Sequence, residues 1–95
     1  MLQRMEAEIV TDDPDPIIKK LIELGFELEV IVWPGDDGST VVATTLTELG
    51  EHAFFHYVSD VVDPLDGIVM EAGLVWKPSL VRRPGLVKRR FVPGY

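Results

Sequence analysis

Cysteine is absent from this chain of 95 residues. Its absence excludes disulfides and thiolate metal sites, and it fits a reducing cytoplasm, which is the compartment that we expect. Long apolar runs are absent as well, since none approaches the roughly 18 residues that a membrane-spanning helix needs. Acidic side chains at Glu6 and Glu8 occupy a segment that would be apolar in a signal peptide. We therefore expect one small soluble domain without a membrane partner.

Positive charge is scarce in residues 1–75, and negative charge is absent from residues 76–95. All sixteen acidic residues lie in residues 1–75, which contain only three bases and carry a net charge of −13. Residues 76–95 contain no acid and carry a net charge of +6, which comes from Lys77, Arg82, Arg83, Lys88, Arg89 and Arg90. The split predicts an acidic α+β domain at 1–75 and a basic C-terminal arm at 76–95. The arm also contains several apolar residues, which favours an arm that docks on a surface.

The longest helical pattern lies between Thr45 and Val62. Apolar residues recur there at the spacing of one helical face, and they predict a long central helix over 46–62: Leu46, Leu49, Ala53, Phe54, Tyr57, Val58 and Val61. Thr45 and Glu48 have the spacing of a capping box, which predicts the start of this helix. Pro64 has no amide hydrogen and therefore predicts its end or a kink.

A shorter helix is predicted over 16–24, where Ile17, Ile18 and Leu21 share one face. Two Asp-Pro pairs precede it, and each combines a good N-cap residue with a proline suited to the first helical position. Gly25 is suited to the left-handed position that follows a helix. Phe26 then provides the apolar contact that accompanies such an end.

Alternation of apolar and polar residues predicts β-structure around these helices. Two alternating segments flank a turn rich in proline and glycine, so residues 26–45 are predicted to form a β-hairpin. Residues 2–10 also alternate and favour a strand, although their helix propensity argues the other way. The pattern over 64–76 fits a helix and a strand equally well, and both remain open.

Together these elements predict an α+β fold, in which a small antiparallel sheet packs against a short helix and a long central helix, followed by the basic arm. Helices on one side leave the other face of the sheet without cover. Ile31 and Trp33 lie on that other face, so we expect self-association as a two-fold dimer, with the arm reaching the partner copy. Burial in the core is the default for the tryptophans, and a role as interface anchors is the sharper hypothesis. Three further aromatic residues complete the expected interface: Trp76, Phe91 and Tyr95.

Both histidines of the chain fall within the central helical pattern. Glu48, His52, His56 and Asp60 are spaced by four residues, so they form a stripe along one helical face. A pair of histidines at this spacing can hold one metal ion, with Asp60 as a third ligand. The sequence favours the alternative of a solvated polar face, because two histidines without cysteine are a weak metal signal.

The charge split and the histidine stripe together support three kinds of function. The first is a non-enzymatic protein–protein interaction or assembly module, whose basic arm docks on an acidic surface of its own or of a second copy. The second is a nucleic-acid-associated protein that binds phosphates through the arm, although the acidic domain would repel the same polyanion. The third is a metal-binding protein that uses the histidine stripe. No nucleophile accompanies the histidines on a strained turn, so the sequence favours a non-enzymatic protein without deciding the question. We expect no cofactor.

Overall fold

A computed structural model describes residues 2–32, 38–74 and 87–91 of the chain. The strands and helices follow one another along these residues as β1 (Gln3–Thr11), α1 (Pro14–Glu23), β2 (Glu27–Val32), β3 (Ser39–Thr47), α2 (Glu51–Val62), β4 (Gly67–Leu74) and β5 (Val87–Phe91). A 3₁₀ turn at Asp63–Leu65 joins α2 to β4. The predicted α+β fold is therefore confirmed.

All neighbouring strands pair antiparallel in a single sheet of order β4-β1-β3-β2-β5. The first four strands and the two helices follow the β-α-β-β-α-β order of the split β-α-β, or ferredoxin-like, arrangement. In this topology β1 and β3 form the centre, and their ladder runs from the Gln3–Thr47 pair to the Thr11–Ser39 pair. Because many unrelated functions occur on this topology, the fold alone does not identify one.

The two segments that the sequence left ambiguous are both strands. Residues 3–10 fall in β1, as the alternation favoured, and the burial of Met5, Ala7 and Ile9 shows that one face of this strand points into the core. Residues 67–74 form β4, where Val69 and Ala72 pack against the same core. Local pattern did not distinguish a helix from a strand in this segment, and pairing with β1 favours the strand.

The central helix begins later than predicted. Residues 45–47 continue β3 opposite the start of β1, and α2 begins at Glu51 instead of residue 46. The capping box of Thr45 and Glu48 is therefore wrong, and Gly50 is the N-cap without a side-chain cap. The hydroxyl of Thr47 instead accepts a hydrogen bond from the Leu49 amide at 3.1 Å. Ladder pairing with β1 outweighs local helix signals in these residues.

Helix α1 starts two residues earlier than predicted, with Asp13 as N-cap and Pro14 at the first helical position. Its end matches the prediction, because Gly25 has a φ of 90°. The Phe26 amide donates to the Leu21 carbonyl and the Gly25 amide donates to the Ile22 carbonyl, each at 3.0 Å. This pair of bonds is the Schellman motif, which satisfies the last carbonyls of the helix.

The core lies between both helices and one face of the sheet. Phe26 is fully buried there, and its ring stacks on Phe54 at a centroid distance of 6.3 Å and on Tyr57 at 6.4 Å. The buried residues of α2 are Phe54, Val58 and Val62. Leu46 and Leu49, which the sequence placed on the same helical face, precede the helix and are exposed. Burial of such side chains supplies most of the stabilising free energy of a small domain.

The described part of the basic arm belongs to the sheet. Strand β5 pairs antiparallel with β2, in a register that sets Arg90 opposite Glu29 and Lys88 opposite Ile31. This strand forms one end of the sheet in the strand order, and β4 forms the other. The opposite end of the sheet is irregular, since β4 shifts register against β1 between Glu8 and Ile9.

Candidate functional site

The sheet face that is turned away from the helices, here called the helix-free face, carries a cluster of four glutamates. Glu6 and Glu8 of β1 alternate with the buried core residues of that strand, so they lie on this face. In the ladders, Glu8 is opposite Glu71 on one side, and Val42 lies between Glu8 and Glu29 on the other. Four carboxylates from three strands thus meet on one surface, here called the acidic cluster.

Glu6 is the electrostatically strained member of the acidic cluster. Its Oε1 atom is buried and accepts no hydrogen bond from a described residue. Burial raises the pKa of the Glu6 carboxyl above its usual value, and the negative charges of Glu8, Glu29 and Glu71 raise this pKa further. A positively charged donor placed here would reduce the repulsion between the carboxylates and would give Oε1 of Glu6 a hydrogen-bond partner.

One cation already lies at the margin of the acidic cluster. The Nη1 atom of Arg4 is 3.4 Å from Oε2 of Glu27 on the neighbouring part of the helix-free face. Both side chains are about half exposed, so this ion pair contributes little to stability, between about 0 and 1 kcal/mol. Arg4 makes this ion pair with Glu27, which is not one of the four glutamates of the acidic cluster.

Apolar residues flank the acidic cluster, and they divide into buried and exposed groups. Ile31, which the sequence placed on an uncovered face, lies on the helix-free face and is fully buried within the chain. Because Ile31 is not exposed, it gives no argument for a dimer. On the side of β4, Val10, Ile68 and Met70 are 38%, 64% and 61% exposed. This edge offers apolar contact area beside the carboxylates.

The histidine stripe is only partly formed. Glu48 lies in the bend before α2, while His52, His56 and Asp60 lie on the exposed surface of the helix. The Nε2 atoms of His52 and His56 are 3.2 Å apart, and their rings meet edge to face at a centroid distance of 4.5 Å. Within the described ranges, no group of three or more histidines and carboxylates is placed to hold a metal ion.

The remaining predicted site residues belong to the arm or the hairpin turn. Lys88, Arg89, Arg90 and Phe91 lie in β5, where their backbone pairs with β2. The other predicted residues lie outside the described residues: Trp33, Trp76, Lys77, Arg82, Arg83 and Tyr95. Sequence reasoning missed the acidic cluster, because the alternating pairs Glu6–Glu8 and Glu27–Glu29 place glutamates on one face of each strand without showing that the two strands share a surface.

Comparison with known proteins identifies no relative: no family model matches the chain, and no curated protein or solved structure matches it. Among the described residues, no helix is long and apolar enough to cross a membrane. Functional inference therefore depends on the two surfaces above, the acidic cluster and the histidine pair.

Proposed function

We propose that this protein is a non-enzymatic protein–protein interaction module whose docking surface is the acidic cluster of the helix-free face. The basic arm is the first occupant of that surface, and it docks in the chain to which it belongs. The observation that carries the proposal is the convergence of Glu8, Glu29 and Glu71 on the buried carboxyl of Glu6, on a sheet whose strand β5 pairs Lys88 and Arg90 with β2.

Charge complementarity supports this choice of occupant. The arm contains six bases and no acid, whereas the domain before it has a net charge of −13. Opposite charges steer docking and select the partner, but each exposed ion pair stabilises by only about 0–1 kcal/mol. Most of the affinity must therefore come from apolar contact, and the exposed side chains of Val10, Ile68 and Met70 supply area for it.

The same surface gives a route to the dimer that the sequence predicts. If the arm of one copy docks on the acidic cluster of another, two copies exchange arms around a two-fold axis. An external protein with a basic and apolar segment would compete for the same carboxylates. We place this activity in the cytoplasm, on the ground that the chain contains no cysteine.

Binding of nucleic acid through the arm is the second candidate. Three consecutive bases, Lys88, Arg89 and Arg90, lie along a strand at the end of the sheet, where they could contact successive phosphates. The acidic cluster begins on the neighbouring strand, where Glu29 is opposite Arg90, and it repels the same backbone. The two candidates therefore differ in the effect of neutralising the carboxylates, which weakens docking of the arm but strengthens binding of a nucleic acid, whereas high salt weakens both.

The test is limited trypsin digestion of the full chain, with cleavage after the bases of the arm as the readout. We expect protection of the arm at low salt, and loss of that protection at high salt or in the E8Q/E71Q variant. The matched control is E23Q/D60N, which removes the same charge from the exposed helical surface and should leave protection unchanged. Equal protection in both variants would show that the acidic cluster does not hold the arm.

Light scattering with absorbance at 260 nm completes the experiment. A monomer with a protected arm supports docking within one chain, and a dimer that E8Q/E71Q dissociates supports arm exchange. Excess absorbance at 260 nm that K88Q/R90Q removes, but the matched K19Q/K20Q variant on α1 retains, would instead favour nucleic-acid binding.

A further inference from the structure

The histidine pair on α2 is independent of the acidic cluster. His52 and His56 are both exposed, and they are one helical turn apart near the beginning of the helix. Their Nε2 atoms are 3.2 Å apart, although the ring centroids are separated by 4.5 Å. The two Nε2 atoms are therefore closer to each other than the ring centres are, and both rings lie on the exposed surface of the helix.

We propose that His52 and His56 form a binding site for one divalent transition-metal ion, with both Nε2 atoms as ligands. Metal–imidazole bonds are about 2.0–2.1 Å long, so two such bonds at angles between 90° and the tetrahedral value separate the nitrogens by about 2.9–3.4 Å. The observed 3.2 Å lies inside this range. Water molecules complete the coordination, because no third protein ligand lies close enough among the described residues.

The same distance also suits a hydrogen bond in the metal-free protein. One Nε2–H group donates to the unprotonated Nε2 of the other ring, and this bond holds the rings in the chelating orientation. When an ion binds, the donating ring changes tautomer and carries its proton on Nδ1, so both Nε2 lone pairs face the ion. The exchange needs no redox partner and releases no net proton from two neutral rings.

The chemistry of the ligand pair indicates which ions bind. Imidazole nitrogen suits Cu²⁺, Ni²⁺ and Zn²⁺, whereas Mg²⁺ and Ca²⁺ prefer oxygen ligands. Affinity is expected to follow the general order in which Cu²⁺ exceeds Ni²⁺ and Zn²⁺. The nearby carboxylates of Glu51 and Asp60 attract cations of both kinds, so the selectivity separates chelation from simple charge attraction.

The test is isothermal titration calorimetry of the full chain with NiCl₂, ZnCl₂ and MgCl₂. We expect one Ni²⁺ or Zn²⁺ per chain and no measurable Mg²⁺. H52Q and H56Q should each weaken Ni²⁺ binding by at least tenfold, and the double variant should be only slightly weaker than either, because one remaining imidazole cannot chelate. Both side chains are exposed, so these variants should keep the fold.

The matched control is E51Q/D60N, which removes two neighbouring charges but leaves both rings. Ni²⁺ affinity within about threefold of the parent supports chelation by the histidines, since the screened attraction of exposed carboxylates is weak. Ni²⁺ binding that survives H52Q/H56Q, or falls more in E51Q/D60N than in either histidine variant, would overturn the site. Equal heats for Mg²⁺ and Ni²⁺ would overturn it as well.

Discussion

Gly67 at the start of β4 lies directly against Ile17 of α1. A Cβ atom at Gly67 would be 2.7 Å from Cδ1 of Ile17 and 2.9 Å from Cβ of Val62. This contact brings α1, α2 and the sheet together at one position, and only a residue without a side chain fits there. The 3₁₀ turn and Asp66 come directly before Gly67, and Asp66 has a left-handed backbone with a φ of 61°.

Gly67→Ala should therefore destabilise the protein. The added methyl group overpacks the core, and we expect the free energy of unfolding to fall by about 1–3 kcal/mol. Gly73→Ala is the matched control on the same strand, because its nearest neighbour would be 3.6 Å away, an ordinary contact. Urea unfolding of both variants measures the difference, and equal losses would contradict the packing at Gly67.

Phe54→Ala and Phe55→Ala should differ greatly although the residues are adjacent. Phe54 is fully buried and stacks on Phe26, whereas Phe55 is 36% exposed. We expect a loss of about 3–5 kcal/mol for Phe54→Ala and of less than about 1 kcal/mol for Phe55→Ala. Thermal unfolding followed by circular dichroism separates them, and the reverse order would mean that the helix is rotated about its axis.

Glu6→Gln should stabilise the protein at neutral pH. The raised pKa of Glu6 means that the folded state binds a proton more tightly than the unfolded state does. Stability therefore falls as pH rises from the ordinary glutamate value through the raised one, and the deficit persists above it. Glutamine removes this charge, and we expect a gain of about 0.2–1 kcal/mol, the range for opposed like charges in sheets.

The measurement for Glu6→Gln is urea unfolding between pH 4.5 and pH 7.5. The exposed Glu23→Gln variant corrects for the change in net charge. The gain from Glu6→Gln relative to this control should grow as pH increases. A gain that shrinks with rising pH would show that the Glu6 carboxylate is favourably paired in the folded protein.

Gly50→Ser should stabilise the beginning of α2. Gly50 has extended backbone angles that any residue adopts, and a Cβ atom there would meet nothing within 4 Å. A serine hydroxyl can cap the free amides of the first turn, and we expect a gain of about 0.5 kcal/mol. Gly25→Ala, at a φ of 90°, should instead lose about 1 kcal/mol. Chemical denaturation compares the two glycines directly, and a loss in Gly50→Ser would contradict the N-cap position.

Local pattern was sufficient for much of the fold. Alternation identified the strands of the 26–45 hairpin, and Gly25 with Phe26 marked the end of α1, because these signals act over a few residues. The start of α2 could not be predicted from local pattern in the same way. Thr45 and Thr47 suit both a cap and a strand, and the choice is made by pairing with β1 about forty residues earlier in the chain.

The same contrast between local and long-range signals applies to the two candidate sites. The His52–His56 pair could be predicted because both residues share one helix, whose geometry fixes their separation. The acidic cluster could not, because Glu8, Glu29 and Glu71 approach one another only when strand order and register are known. Alternation places a glutamate on a face, but it does not say which strand lies beside it.

The position of β1 has a consequence for how the protein is made. This strand is synthesised before both of its neighbours, β3 and β4, which are completed only at Thr47 and Leu74. The centre of the sheet therefore cannot form until β3 and β4 have been synthesised. Until then, the apolar face of β1 remains exposed. We expect nascent chains that stop before Leu74 to depend on chaperones, and release of the finished chain to end that dependence.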